Sequence, residues 1–192
     1  MKTLREVVML IYVLVIPLFM MADYYLTLLG NKISKEYREH FAMKDYEVNP
    51  LWQKDVSRQK WFNPKQLALV AAFTAIFYFF IQYLYDRDYI LMQLMMGMIT
   101  APYAIILGRH LSNLLLFSFV RKNPGILEGK LMSPYQYMLA TSRIMVVPGI
   151  FMFIVIYAFT QDFFVLGGTI GSVILFCVHF IWALKARKMK KL

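Results

Sequence analysis

Apolar and polar residues follow one another along this chain in long blocks. Five apolar blocks each come close to the length of roughly 20 residues that an α-helix needs to cross the hydrocarbon core of a bilayer. They are Val7–Leu29, Gln66–Tyr85, Tyr89–Gly108, Ile144–Thr160 and Asp162–Leu184. The pattern predicts an all-α, polytopic transmembrane helical bundle with five spans, forming a single membrane domain over residues 1–192 with a long cytoplasmic loop over residues 31–65.

The ends of some spans are less sharply defined than their centres. The third span can continue through Leu111–Val120, where LSNLLLFSF keeps a helical pattern, and Pro134–Ser142 can extend the fourth as an interfacial turn or helix. Only Thr160–Asp162 joins the last two spans, which predicts a tight helical hairpin. The charged segment Met1–Arg5 precedes an apolar run that is longer than a signal-peptide core and lacks a small-residue cleavage pattern. We therefore interpret this run as a span of the mature protein.

Lysine and arginine are distributed unequally between the two sides of the predicted bundle. In a five-span arrangement, the loop over residues 31–65, the loop over residues 121–133 and the tail after Leu184 lie on one side and carry 16 of these residues. The other side carries 3. Because cytoplasmic loops are enriched in Lys and Arg, this bias predicts an N-terminus outside and a cytoplasmic C-terminus. A four-span arrangement would divide the basic segments between the two sides.

Composition supports a membrane protein and limits its partners. The chain is 60% hydrophobic with a mean hydropathy of +0.54, which is above the usual range of soluble domains. The net charge of +10 suits anionic lipid headgroups at the cytoplasmic face, so we expect contacts with membrane lipids and no binding of nucleic acid. The pattern also allows a homo-oligomer or a partner membrane subunit. The expected location is the cell membrane.

The sequence carries none of the common motifs for catalysis or cofactor binding. It has no G-x-x-x-x-G-K-[ST] loop, no G-x-S-x-G elbow, no H-E-x-x-H and no C-x-x-C. The one cysteine, Cys177, excludes an internal disulfide and a cysteine-based metal cluster. The three histidines, His40, His110 and His179, have no metal-ligand spacing, and His40 is expected to be a solvated loop residue. From its motifs the chain is therefore predicted to hold no cofactor and no metal.

One acidic residue lies inside the first predicted span. Asp23 is 16 residues after Val7, which at about 1.5 Å per residue is roughly 24 Å along the helix. An ionised carboxylate in hydrocarbon is costly, and such residues usually pair with another group or line a polar cavity. Other polar residues are predicted to lie in the same cytoplasmic layer. The layer comprises Asp23, Thr27, Glu47, Asn49, Arg109, His110, Asn113, Arg143 and His179. We predict that these residues line a substrate or ion cavity open to the cytoplasm.

Two interpretations of this layer are left open. In the first, Asp23 faces the bundle interior with Arg109 or Arg143 as its partner. In the second, the arginines extend to the lipid headgroups, and Asp23 serves only helix packing through a bond to backbone or to a tyrosine hydroxyl. His179 fits a packed histidine better than a ligand.

The last span carries the small-residue patterns Gly167-x-x-x-Gly171 and Gly168-x-x-x-Ser172. Small residues at this spacing allow two helices to approach closely. We expect this face to pack inside the bundle, and a dimer interface is the second interpretation.

The segments 22-ADYYLTLLG-30 and 47-EVNPLW-52 carry two short motifs, Asp-x-x-x-Thr-x-x-Gly and Glu-x-Asn-Pro. The matching residues are Asp23, Thr27, Gly30, Glu47, Asn49 and Pro50. In these motifs the chain resembles a family of small polytopic bacterial and archaeal membrane proteins of unknown function, which carries one motif in its first span and the other before its second. The resemblance covers about the first 50 residues. It implies a polytopic membrane protein with Asp23 near the Glu47–Pro50 turn, and it implies no activity.

Three function classes fit these observations. The first is a small transporter or transport-associated subunit in which Asp23 couples to a proton or a cation. The second is a membrane-embedded enzyme acting on a lipid headgroup, with Arg109 and Arg143 binding phosphate and His110 or Asp23 as acid or base. The third is a structural or assembly subunit without chemistry. The first is favoured because the layer has few carboxylates and no recognisable nucleophile, and the sequence leaves undecided whether the chain is an enzyme.

Overall fold

A computed structural model of the chain describes residues 2–36, 41–43, 46–123, 125–126, 131–133 and 135–189, so His40 lies outside the described residues. The described elements are α1 (Lys2–Glu36), β1 (Phe41–Met43), α2 (Gln53–Ser57), α3 (Pro64–Leu84), α4 (Tyr89–Lys122), β2 (Leu131–Ser133), α5 (Tyr135–Thr160) and α6 (Phe163–Met189). All of these helices except α2 are long and apolar enough to cross a membrane. The two short strands pair in parallel, with Phe41 opposite Leu131. The predicted all-α class and its five membrane-spanning helices are therefore confirmed.

Four helices continue five or more residues beyond the predicted spans at the end of the bundle that carries α2, the α2 end. Helix α6 runs to Met189 instead of ending near Leu184. Helix α1 runs to Glu36 instead of ending near Leu29. Helix α4 runs to Lys122 and α5 begins at Tyr135, so the extensions that the sequence indicates for the third and fourth spans are helical. The predicted loop over residues 31–65 therefore begins only after Glu36, and it contains α2. Apolar length measures only the part of a helix that crosses hydrocarbon, whereas Lys, Arg and Glu are good helix formers that allow the helix to continue into the headgroup region.

Helix α4 lies at the centre of the bundle and contacts α1, α3, α5 and α6. At its contact with α6, glycines stand where side chains would keep the two helices apart. A Cβ atom added at Gly167 would overlap the backbone carbonyl of Leu94 on α4. One added at Gly97 would overlap the backbone of α6 in the same way. Small residues let two helices approach until their backbones touch. The small-residue pattern of α6 therefore packs inside the bundle, as the sequence predicts.

Short polar residues define the connections at the end of the bundle opposite the α2 end. Gln161 and Asp162 alone join α5 to α6, and the Asp162 carboxylate accepts the backbone N–H of Phe164 at 2.7 Å. Gln161 has a φ of 52°, which turns the chain sharply between the two helices. Asp88 caps the start of α4 by accepting the Leu91 N–H at 2.9 Å. The tight helical hairpin expected between the last two spans is present.

The segment over residues 46–63, between β1 and α3, folds against the α2 end of the bundle. Val56 packs on α1, and the Asn31 side chain donates to the Val56 carbonyl at 2.8 Å. At the beginning of the segment, Val48 packs against α5 and α6, and the Tyr135 hydroxyl donates to its carbonyl at 2.8 Å. These contacts hold the segment in place on both sides of the bundle, and they fix the position of Glu47.

Candidate functional site

The Asp23 carboxylate contacts a histidine side chain. Its Oδ1 lies 3.0 Å from Nε2 of His110 on α4. The His110 side chain is 3% exposed, whereas that of Asp23 is 34% exposed. Thr27 places its hydroxyl 3.2 Å from the same Nε2. Because residues four apart lie on one face of a helix, Asp23 and Thr27 approach His110 together.

The arginines that were expected to pair with Asp23 have other partners. Arg109 donates to the Ser142 hydroxyl on α5, and its second terminal nitrogen lies 3.4 Å from His110 Nε2. Arg143 lies over two phenylalanine rings of α6, with its guanidinium 5.4 and 5.6 Å from their centroids. Adjacent helical residues point about 100° apart, so only one of positions 109 and 110 can face α1. His110 occupies that direction, and the expected arginine pairing of Asp23 is corrected to a pairing with histidine.

Several groups converge on one ring nitrogen of His110, while the other has no partner within the described part of the chain. Asp23, Thr27 and Arg109 all approach Nε2, and the buried Nδ1 has no hydrogen bond. A protonated Nε2 donates to the Asp23 carboxylate, whereas an unprotonated one accepts from Thr27 or Arg109. The cluster can therefore hold protons in more than one arrangement. In a nucleophilic triad the nucleophile and the carboxylate contact opposite ring nitrogens, which is not the arrangement here.

A second carboxylate, that of Glu47, lies close to Asp23. Its Oε1 accepts the backbone N–H of Asn49 at 2.6 Å, and the Gln53 side chain donates to its backbone carbonyl at 3.2 Å. Burial and, after it, the nearby carboxylate of Asp23 raise the pKa of Glu47 from 4.5 to about 7. The Asn49 N–H and the Arg109 guanidinium favour the ionised form but are outweighed. Near neutral pH, small changes around Glu47 therefore change its protonation.

The two carboxylates line a common cavity of about 200 Å³ between α1, α3, α4 and the 46–63 segment. Its polar lining consists of Asp23, Tyr24, Glu47, Asn49, Gln66 and Tyr103. Trp52 and Phe73 are among the apolar residues that complete the walls. The described lining contains no lysine, arginine or histidine, so the cavity is acidic and aromatic in character.

A second polar group lies between α4, α5 and α6. The Ser142 hydroxyl, which accepts from Arg109, also lies 3.4 Å from Nδ1 of His179. Ser142 and His179 are both buried, which fits the expectation of a packed histidine. Asn113 lies apart from this group and donates to the Tyr46 hydroxyl at 3.5 Å. Most of the predicted polar layer is thus divided into two groups that meet at Arg109, whereas Asn113 and Arg143 have contacts outside both groups.

The structure assembles part of the predicted set and adds residues to it. Grouped around the cavity and His110 are Asp23, Thr27, Glu47, Asn49 and His110. The residues that the sequence did not single out are Tyr24, Gln66, Tyr103 and Ser142. Gln66 carries a signal that could have been used, because it is a polar amide at the start of a predicted span. Tyr103 carries no such signal, since tyrosine is common in apolar runs of this chain.

Among the described residues, no group of three or more His, Cys, Asp and Glu side chains is arranged to hold a metal ion. Comparison of the chain with protein-family models, with curated proteins and with solved structures finds no match. The resemblance of its two motifs to a family of small bacterial and archaeal membrane proteins therefore stays a prediction.

Proposed function

We propose that the chain is a small multi-pass transporter, or a subunit of one, in which Asp23, His110 and Glu47 exchange protons for a cation. The observation that carries the proposal is the pair of carboxylates in one cavity, one of them bonded to an almost completely buried histidine. Ionisable side chains within spans are costly, and they commonly mark the pathway of an ion or a proton. Apolar side chains of similar volume would give a purely structural contact of equal or greater stability.

Proton exchange follows from the closeness of two like charges. Two carboxylates that share a site repel each other when both are ionised, so Glu47 retains a proton while the cavity holds no other cation. A cation that enters the cavity favours the ionised form of both carboxylates and displaces this proton. His110, which lies against Asp23, gives the proton a second place to bind. The exchange leaves the total charge of the site unchanged, which lowers the electrostatic cost of each step in a low-dielectric surrounding.

The two other function classes receive less support from the contacts. A lipid-headgroup enzyme would need Arg109 and Arg143 to converge on a phosphate. Arg109 is instead bonded to Ser142, and Arg143 lies over aromatic rings of α6. The carboxylates of the cavity would also repel a phosphate. A subunit that serves assembly alone has no need for two carboxylates beside a cavity.

Replacing Asp23 by asparagine separates transport from structure. Asparagine keeps the volume of the side chain and an acceptor for His110, but it cannot ionise. We expect Asp23→Asn to give a nearly unchanged yield, to lower the apparent melting temperature by no more than about 2–4 °C, and to lose cation-dependent proton flux. The measurement uses proteoliposomes with a pH-sensitive dye inside and a panel of inorganic and organic monovalent cations outside.

The matched control for this experiment is Asp162→Asn at the opposite end of the bundle. Asp162 is exposed, and asparagine can perform the same helix-capping role, so this variant should keep wild-type flux. Wild-type protein that moves no protons with any cation of the panel would refute the transport proposal. A headgroup-modified lipid product in the same vesicles would support the enzyme instead.

The cell membrane is the proposed location, with the N-terminus outside and the α2 end in the cytoplasm. The unequal distribution of Lys and Arg supports this orientation. In a Cys177→Ser background, we expect Arg87→Cys to react with a membrane-impermeant thiol reagent on intact cells. Lys122→Cys, which is equally exposed at a helix end, should react only after permeabilisation. Labelling of Lys122→Cys on intact cells would contradict the orientation.

A further inference from the structure

We propose that the cavity between α1, α3 and α4 binds a small organic cation, namely a protonated amine that carries an apolar group. The inference rests on the proposed transport function and names the chemical class of its substrate. The cavity has a volume of about 200 Å³, which corresponds to the space of several water molecules at about 30 Å³ each. A single dehydrated alkali ion would leave most of this space empty.

The charge of the lining selects a cation. Asp23 and Glu47 both face the cavity. The nearby basic groups already have partners, because Arg109 donates to Ser142 on α5 and the Lys65 ammonium, at the edge of the cavity, donates to the Leu51 carbonyl at 3.2 Å. A neutral ligand would gain no charge–charge attraction from the two carboxylates, and an anion would be repelled by them.

Four aromatic side chains of the lining favour a cation that also carries an apolar group. They are Tyr24, Trp52, Phe73 and Tyr103. An ammonium placed over an aromatic face is attracted by the ring, and its alkyl or aryl part packs against the same walls. The Trp52 ring already attracts one ammonium, since Nζ of Lys65 lies 4.4 Å from its centroid. A fully hydrated inorganic ion would gain little from such walls.

Two polar oxygens of the lining are free to accept hydrogen bonds from a ligand. Gln66 is 6% exposed, and its Nε2 donates to the Met20 carbonyl at 3.2 Å. Within the described part of the chain, its Oε1 accepts no hydrogen bond, and the hydroxyl of Tyr103 makes none. The Gln66 Oε1 lies on the cavity wall without a donor from the described residues, so a donor group of a ligand can bond to it. The N–H groups of a protonated amine provide donors for these oxygens and for the carboxylates together.

Equilibrium binding to the full-length protein in lipid nanodiscs tests this inference. The probes are benzylammonium, neutral benzyl alcohol and the anion benzoate, titrated calorimetrically at pH 8 with empty nanodiscs as the blank. We expect benzylammonium to bind at least about tenfold more tightly than the other two probes, because its contacts to carboxylates are charge-assisted. We expect Asp23→Asn and Glu47→Gln each to weaken its binding by about tenfold or more. Glu36→Gln, at an exposed position, should leave it unchanged.

Each of the other outcomes overturns the inference. Equal binding of benzyl alcohol would mean that the cavity recognises only apolar groups, and preferential binding of benzoate would mean that it is an anion site. Heat from Na⁺ without heat from benzylammonium would identify an inorganic cation site. An absence of binding by any probe would also refute it.

If benzylammonium fails to bind while wild-type proton flux with other cations is intact, this inference falls and the proposed transport function stands. If benzylammonium binds without any flux, the binding site stands and the transport function falls.

Discussion

Replacing Glu47 by glutamine is expected to remove a pH-dependent loss of stability. The charged groups that act on Glu47 are the Asp23 carboxylate from α1 and the Arg109 guanidinium from α4. Burial and the Asp23 carboxylate prevail and raise the pKa of Glu47 to about 7. Glutamine keeps an Oε1 that can accept the Asn49 N–H, a bond that measures 2.6 Å with Glu47. The substitution therefore removes the charge with little change in the contacts of the segment.

The sign of the effect follows from the proton that the folded chain retains. Below pH 4.5, Glu47 is protonated in the folded and in the unfolded chain, and it contributes no difference. Between pH 4.5 and about 7, the folded chain holds a proton that the unfolded chain has released, so the free energy of unfolding falls as pH rises. Above about pH 7 both states are ionised, and the full loss is present. Glutamine has no such loss at any pH.

The size of the effect can be derived from the same change in pKa. A rise from 4.5 to about 7 corresponds to about 3 kcal/mol, because one pH unit is worth about 1.4 kcal/mol. The Glu47 side chain is only partly buried, so solvent screens some of this energy and we expect about 2 kcal/mol. For a chain of this size, that corresponds to an apparent melting temperature about 4–8 °C higher for Glu47→Gln at pH 8.

The assay is thermal unfolding in detergent at pH 4.5 and at pH 8, with wild type, Glu47→Gln and the exposed control Glu36→Gln. The difference between Glu47→Gln and wild type should be close to zero at pH 4.5 and reach its full value at pH 8. Glu36→Gln should follow wild type at both values, because Glu36 is exposed and lies 3.9 Å from its lysine partner. An equal gain for Glu47→Gln at both pH values would refute the reasoning, since uncharged packing would then explain it.

Two further changes test contacts within the bundle. The first is the double change Asp23→Asn with His110→Gln, measured by thermal unfolding. It is expected to cost about 1 kcal/mol less than the sum of the two single changes, because the two side chains are 3.0 Å apart. Strictly additive losses would contradict this pairing. Gly167→Ala is expected to destabilise the protein by about 1–3 kcal/mol, because its methyl group would overlap the Leu94 carbonyl. Gly108→Ala is the matched control, since its methyl group would have no neighbour within 4 Å, and its melting temperature should be unchanged or slightly higher.

The five spans could be predicted because a bilayer imposes its thickness on the sequence as apolar blocks of nearly constant length. The extensions of α4 and α5 could also be predicted, from the helical pattern of Leu111–Val120 and from the segment Pro134–Ser142, but the extension of α1 could not. Helix α1 continues past Leu29, and its extension buries Asn31 and Ser34 against the rest of the molecule. In a hydropathy pattern, polar residues that follow an apolar block predict a loop. They are helical here because the 46–63 segment packs on them and Asn31 bonds to the carbonyl of Val56.

The sequence predicts how deep in the membrane the residues of the candidate site lie, but not which of their side chains face one another. Helix rise places Asp23 and His110 in one layer from their positions in the sequence alone. Which residue of α4 faces Asp23 depends on the rotation of that helix, and a helix that is apolar on all sides gives no sequence signal for it. The sequence predicts Arg109 or Arg143 as the partner of Asp23, whereas packing turns the neighbouring histidine toward α1. The contributions of Gln66 and Tyr103 depend on how α3 and α4 pack, which no local pattern encodes.

The position of Asp23 between a buried partner and a cavity accounts for an acidic residue inside a span. A carboxylate paired only with His110 in a low-dielectric surrounding would lose more in desolvation than it gains in attraction unless its remaining lone pairs are also satisfied. About a third of the Asp23 side chain is exposed, and the residue lines the cavity, where water or a ligand can meet that need. An apolar side chain that filled the cavity would remove this solvation from Asp23 and Glu47 at the same time. The acidic cluster and the cavity therefore form one unit, and in the transport function that we propose the occupant of the cavity and the protons of the cluster change together.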